Sequence, residues 1–168
     1  MKKLFLLGFA TIFFVACQEK HQQRYFENSA EIETLKAGIK AYETQDWAMW
    51  KANFADSAKI YHNTNKPSSP DETMTGMKQM LSNFSEYKFL NNDAEIEMII
   101  DKDGDTWVNY WNSWGGKAKV TGKKISVPVH LTVQFIDGKI VNEYAYYDTA
   151  SIGATIAEIK AAQENEVE

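Results

Sequence analysis

The Asp137-Gly138 pair, set between two alternating apolar runs, constrains this chain more than any other feature. It predicts a two-residue hairpin, because a type I′ turn needs positive φ at both central residues. The strands are read as Ile125 to Ile136 and Lys139 to Tyr147. Pairing outward from Ile136 and Lys139 places Phe135 opposite Ile140, Val133 opposite Asn142, Leu131 opposite Tyr144, Val129 opposite Tyr146 and Val127 opposite Asp148. That face is almost wholly apolar, so other parts of the chain must cover it. The opposite face pairs Gln134 with Val141, Thr132 with Glu143, His130 with Ala145 and Pro128 with Tyr147, and can meet water or a partner. Asn142 and Asp148 sit among the apolar residues of the covered face, a pattern that suits a binding pocket and equally a well-paired core.

The N-terminus has a different character. Met1-Lys2-Lys3 precedes an apolar run from Leu4 to Val15, then Ala16-Cys17 and the polar Gln18-Glu19-Lys20. A short basic start, an apolar stretch too short to span a bilayer and a small-residue exit describe a secretory signal. The chain's one cysteine lies at that exit, and Phe14-Val15-Ala16-Cys17 resembles a bacterial lipoprotein processing box. Residues 1–17 are therefore expected to be a signal peptide ending at a lipidated Cys17, and 18–27 a polar tether. A single domain is expected over 28–163, with an acidic tail at 164–168. Cleavage leaves about 150 residues, enough for one domain with a sizeable core. The expected location is the cell envelope beyond the inner membrane, facing the periplasm or at the outer membrane. The net charge of -5 and the lack of a basic stripe argue against nucleic acid as a partner.

Asn28-Ser29-Ala30-Glu31 predicts a capped helix with Ile32, Leu35, Ile39 and Tyr42 on one stripe. Asp46 predicts the cap of a second helix carrying Trp47, Trp50 and Phe54, followed by a short strand from Ala58 to Asn63. Ser69-Pro70-Asp71-Glu72 opens a helix with Met74, Met77, Leu81 and Phe84 at helical spacing, and because Gly76 interrupts it, a short turn followed by a helix restarting at Thr75 fits equally. Ala94 to Ile100 and Thr106 to Trp114 alternate as strands, Gly115-Gly116 reads as a turn and Lys117 to Val120 as a short strand. Asp148 is expected to cap a last helix bearing Ile152, Ile156 and Ile159.

Candidate chemistry is sparse. Asp101-Lys102-Asp103-Gly104-Asp105 superficially matches a calcium loop, but Thr106 and Asn112 occupy the positions where glycine and glutamate belong, so it reads as a hairpin turn. His21, His62 and His130 share no ligand spacing, and neither metal nor cofactor is expected. His62 ends a strand where a sheet edge meets a loop, and Asp148 is a helix cap that could alternatively act as a base. Aromatic residues crowd the later strands, which suits a pocket for an apolar or ring-shaped ligand and also a dimer interface. The expected pocket draws Tyr61, His62, Met77 and Leu81 from the first half of the chain. Tyr110, Trp114, Leu131, Asn142, Tyr144 and Tyr146 complete it from the sheet.

The order of motifs carries a resemblance. Asp46-Trp47, Phe54-Ala55-Asp56-Ser57-Ala58, Thr75-Gly76-Met77, Thr121-Gly122-Lys123-Lys124, and Phe135 to Ile140 ending in Tyr147-Asp148 together resemble the nuclear transport factor 2-like superfamily, closest to its SnoaL-like polyketide cyclase branch. The resemblance implies an α+β roll, also called cystatin-like, in which N-terminal helices pack on the concave face of a cone-shaped antiparallel sheet. It also implies an acid/base aspartate in the last strand. Its position falls on Ala145 counted from Gly138, or on Tyr146 counted from Glu143, and neither is a carboxylate. The histidine implied in the preceding strand falls on Leu131, one residue from His130. The expected function is therefore a lipid-anchored domain that binds a small apolar molecule without catalysis. The alternatives are an isomerase or hydro-lyase using His62 or Asp148, and a dimeric interaction module using the face of His130, Thr132, Gln134 and Tyr147.

Overall fold

A computed structural model describes residues 23–165. Cys17 and the processing box lie outside the described residues. The elements run β1 (Tyr25–Phe26), α1 (Ala30–Thr44), α2 (Trp47–Ala52), β2 (Phe54–His62), α3 (Pro70–Leu81) and β3 (Phe84–Phe89), then β4 (Glu95–Ile100), β5 (Thr106–Ala118), β6 (Lys124–Ile136), β7 (Lys139–Tyr147) and α4 (Thr149–Asn165). The strands form one curved, open sheet in the order β1-β4-β5-β6-β7-β2, with β3 also paired to β5. The helices pack on its concave side, as expected. The expectation of a wholly antiparallel sheet needs one change, since β2 runs parallel to β7.

Local chemistry sets the helix ends. Ser29, not Asn28, caps α1: its extended backbone brings the side chain to the Ile32 N–H at 3.1 Å. The helix closes with Gln45 in the left-handed region, and the Asp46 N–H donates back to Ala41 O at 2.8 Å. Asp46 then accepts from the Met49 N–H to start α2. Ser69 and Glu72 form a reciprocal capping box at α3 with Pro70 in the first turn, and the helix runs through Gly76 without a break.

Beyond the longer β2, which starts at Phe54 and so takes that residue from the helix expected to carry it, the sheet departs from the sequence reading in three places. Tyr25 and Phe26, assigned to the tether, pair with Ile99 and Met98 and so belong to the domain. Gly115-Gly116 is no turn; β5 continues through it, and β3 lies alongside from Phe84 to Phe89. A Cβ on Gly116 would stand 2.5 Å from Trp114 and 2.8 Å from Phe84, so glycine here admits close neighbours rather than turning the chain. The third departure is register. Asp137 and Gly138 do have positive φ, and Phe135 does face Ile140, but Gln134 then faces Asn142. Val141 is the extra residue of a β-bulge. Beyond it Val133 pairs with Glu143, Leu131 with Ala145 and Val129 with Tyr147, so every later side chain of β7 lies on the opposite face from the one the unbroken alternation predicts.

The core lies between the helices and the concave face. Ile32 and Leu35 of α1, Trp50 of α2 and Ile60 of β2 meet Val108, Val127, Val133, Phe135 and Ile140 of the central strands, all buried. Ile159 and Thr155 hold α4.

Candidate active-site pocket

The helices do not fill the cone. A cavity of about 540 Å³ remains between α1, α3, the start of α4 and the concave face. Its wall is mostly apolar, with Leu35, Ile39, Met77, Met80, Val127, Val129, Leu131 and Ile140 contributing. Aromatic rings of Tyr42, Trp50, Phe54, Phe89, Trp114 and Tyr147 complete it.

Two ionisable side chains meet in this wall. The parallel pairing of β2 with β7 sets Ile60 beside Glu143 and His62 beside Ala145. His62 and Glu143 are therefore diagonal neighbours on the concave face, and His62 Nε2 lies 3.0 Å from Glu143 Oε1. The Glu143 side chain is 9% exposed and the His62 ring 27%. The bulge at Val141 causes this meeting, because without it Glu143 would point to the convex side.

Tyr147 stands next to the pair. Asn63, itself at positive φ, donates from Nδ2 to Tyr147 O at 2.8 Å and accepts from the Tyr147 N–H at 3.2 Å, which extends the strand pairing past the end of β2. The Tyr147 ring meets the His62 ring edge-on, with centroids 6.0 Å apart. Burial, and then the charge of Glu143, push its phenol above the ordinary value. Burial raises the Tyr42 phenol further still, and the nearby Trp114 indole opposes that shift only in part. Trp114 Nε1 and Thr73 Oγ1 are buried in the cavity wall without a hydrogen-bond partner among the described residues. No lysine or arginine lines the cavity among the described residues.

Of the residues expected in the pocket, His62, Met77, Trp114 and Leu131 line this cavity. Leu81 and Tyr110 are buried in the core behind its wall, with the Tyr110 hydroxyl 2.6 Å from Asn112 Nδ2. Four others lie on the convex face, turned outward by the bulge or by the parity of β2. Tyr61 and Tyr144 stack there at 4.7 Å, Asn142 donates to Gln134 Oε1 at 2.7 Å, and Tyr146 is half exposed. Asp148 is exposed and accepts from the Ala150 N–H at 2.9 Å, so it caps α4 and is not turned into the pocket. Tyr147, assigned to the outer face, lines the cavity instead. Glu143, Tyr42 and Trp50 were missed. The available signal was the adjacent pair Asn142-Glu143: two polar neighbours in one strand force one of them inward in either register.

The sequence matches the SnoaL-like domain family over residues 35–143. The chain belongs to that family. Its fold recurs in solved structures of low identity. A nuclear transport factor 2-like protein of unknown function from Burkholderia pseudomallei is 16% identical, with a TM-score of 0.62 over 77% of this chain and 98% of the other. A candidate polyketide cyclase from Xanthomonas campestris is 16% identical, with a TM-score of 0.61 over 77% and 96%. A hypothetical protein with a ketosteroid isomerase-like fold from Catenulispora acidiphila, solved with trimethylamine, is 14% identical, with a TM-score of 0.57 over 73% and 91%. No match was found among curated proteins. At the positions where the resemblance implies catalytic groups, this SnoaL-like chain carries Ala145 and Leu131, which line the cavity, and Tyr146 and His130, which face away from it.

Proposed function

We propose that this SnoaL-like domain is a small-molecule-binding module held at the cell envelope by a lipid on Cys17. The cavity of about 540 Å³ carries the reading. Side chains that pack a solid core leave no such space, whereas ligand sites in small domains have this size and this mixture of apolar wall and few polar groups. The ligand has an apolar, ring-shaped body, matched to the aliphatic and aromatic lining. Trp114 Nε1 and Thr73 Oγ1, enclosed and unpaired among the described residues, lie within the wall that such a ligand would touch.

A second reading has a specific observation in its favour. The His62–Glu143 pair in the cavity wall has the form of an acid/base couple, with imidazole and carboxyl in hydrogen-bond contact. It would serve an isomerase or hydro-lyase reaction in place of the aspartate that Ala145 and Tyr146 do not supply. Asp148 contributes to neither reading, because it is engaged in capping α4.

Native mass spectrometry of the full chain, purified in mild detergent without added ligand, tests the first reading. A reproducible adduct is expected on the wild type and its loss in Leu131→Trp, which fills the cavity. A wild-type spectrum with no adduct, together with no thermal shift across a panel of apolar metabolites, would overturn it. Intact mass in the same spectrum reads the anchor, which requires a chain starting at Cys17 with acyl groups attached. Turnover of a retained ligand that stops in Glu143→Gln would move the assignment to the second reading.

A further inference from the structure

The composition of the cavity wall specifies the charge of its ligand. Glu143 is a buried carboxyl in a mostly apolar wall, and its one side-chain hydrogen bond among the described residues joins His62 Nε2 to its Oε1. Oε2 has no partner there and is not fully enclosed, in a residue that lines the cavity. A carboxylate placed this way is costly, and an apolar residue of similar volume would stabilise the fold better. The charge is also not balanced by a fixed cation, because no lysine or arginine lines the cavity among the described residues. The other lining carboxylate, Glu72, is occupied at the start of α3, where it accepts from the Ser69 N–H and hydroxyl at 2.8 Å and 2.9 Å.

The surrounding rings have the complementary property. Tyr42, Trp50, Trp114 and Tyr147 line the same space, and the faces of such rings attract cations most strongly where water is excluded. Tyr147 brings a ring to within 6.0 Å of the His62 ring, and its phenol feels the charge of Glu143, so ring and carboxylate border one subsite. The contact with His62 Nε2 occupies Oε1 of Glu143 and leaves Oε2 for a ligand cation. An anionic ligand meets Glu143 with no lysine or arginine beside it, and the one histidine of the wall, His62, is engaged with Glu143 Oε1.

We propose that the cavity takes a cationic ligand, an alkylated ammonium on an apolar frame, with its charge seated between the Glu143 carboxylate and the Tyr147 ring. This rests on the small-molecule reading above. The test compares two probes of the same shape that differ only in charge: benzyltrimethylammonium and its uncharged carbon isostere, neopentylbenzene. Binding to the full chain in nonionic detergent is followed by the fluorescence of Trp50 and Trp114, which line the cavity. The cation is expected to bind at least about tenfold tighter than the isostere. In Glu143→Gln that preference should vanish or reverse, while the isostere keeps its affinity within about threefold, a difference of under ~1 kcal/mol. Equal binding, or tighter binding of the isostere to the wild type, would overturn the charge assignment and leave the small-molecule reading standing. Binding of neither probe would overturn the charge assignment, and the ligand-free spectrum described above would then decide the pocket itself. Should Glu143→Gln not fold, the ratio of the two wild-type affinities is sufficient.

Discussion

The concave and convex faces of β5, β6 and β7 are built from the same strands and carry similar numbers of rings, yet they differ in what the rings do. On the concave face Trp114 and Tyr147 belong to the cavity wall, beside a buried acid. On the convex face the rings stack on one another: Trp111 on His130 at 4.7 Å, His130 on Tyr146 at 6.3 Å, and Tyr61 on Tyr144 at 4.7 Å. Rings are paired on both sides, since Trp114 also meets Phe84 at 5.2 Å and Tyr147 meets His62 at 6.0 Å, but the concave pairs border a cavity and the convex stack includes the half-exposed Tyr146. The face with the more exposed aromatic residues is thus not the one equipped to bind a small molecule.

The largest expected difference between the faces is in stability. Phe135 and Ile136 are adjacent in β6, the first buried at 5% exposure and the second exposed at 54%. Phe135→Ala should cost about 3–5 kcal/mol in urea denaturation, through lost burial and the void left behind. Ile136→Ala should stay within about 0.5 kcal/mol, as surface changes usually do. Similar costs for the two would mean that the convex face is also covered.

Which face a residue of β7 occupies was the part of the site that the sequence could not reveal. The hairpin itself was legible, because Asp137-Gly138 has one favoured geometry, and so was α3, because Ser69, Pro70 and Glu72 each act at a fixed offset. A bulge leaves no such mark. With an unbroken register the inward set of β7 is Ile140, Asn142, Tyr144 and Tyr146; with the bulge it is Ile140, Glu143, Ala145 and Tyr147. Both sets mix polar and apolar groups, so alternation cannot choose between them. The His62–Glu143 contact was hidden for a second reason: it spans 81 residues across a parallel pairing. β3 was missed because a register shift between Phe84 and Glu86 breaks its period of two.

Alkaline titration sharpens the contrast, because Tyr42 and Tyr147 of the concave side both have phenols held above the ordinary value of 10.0. A folded-state pKa raised above the unfolded one contributes stability that is fully present below pH 10 and is lost as pH rises, since the unfolded chain ionises first. Wild type should therefore lose stability above pH 10 faster than Tyr42→Phe, by about 1–2 kcal/mol near pH 11.5, given that each pH unit is worth up to about 1.4 kcal/mol per group. Urea midpoints at pH 8, 10 and 11.5 read this directly. Parallel curves for the two proteins would mean that water reaches the Tyr42 hydroxyl and that the cavity is wetter than its lining suggests.

The smallest expected effect bears on what covers the convex face. Tyr146 ends the Trp111–His130–Tyr146 stack and is 52% exposed. Tyr146→Ala removes one stacking partner from a solvated ring, so it should cost about 0.5–1 kcal/mol. In a domain that works alone, that cost is the same at every protein concentration. If a second copy covered this face, the ring would be buried in the assembly, the cost would exceed about 2 kcal/mol, and the unfolding midpoint would rise with protein concentration. Measuring the Tyr146→Ala midpoint at low and high micromolar protein therefore separates a self-contained stack from an interface. The convex face then stands either as a surface finished by its own rings or as one that only a partner completes.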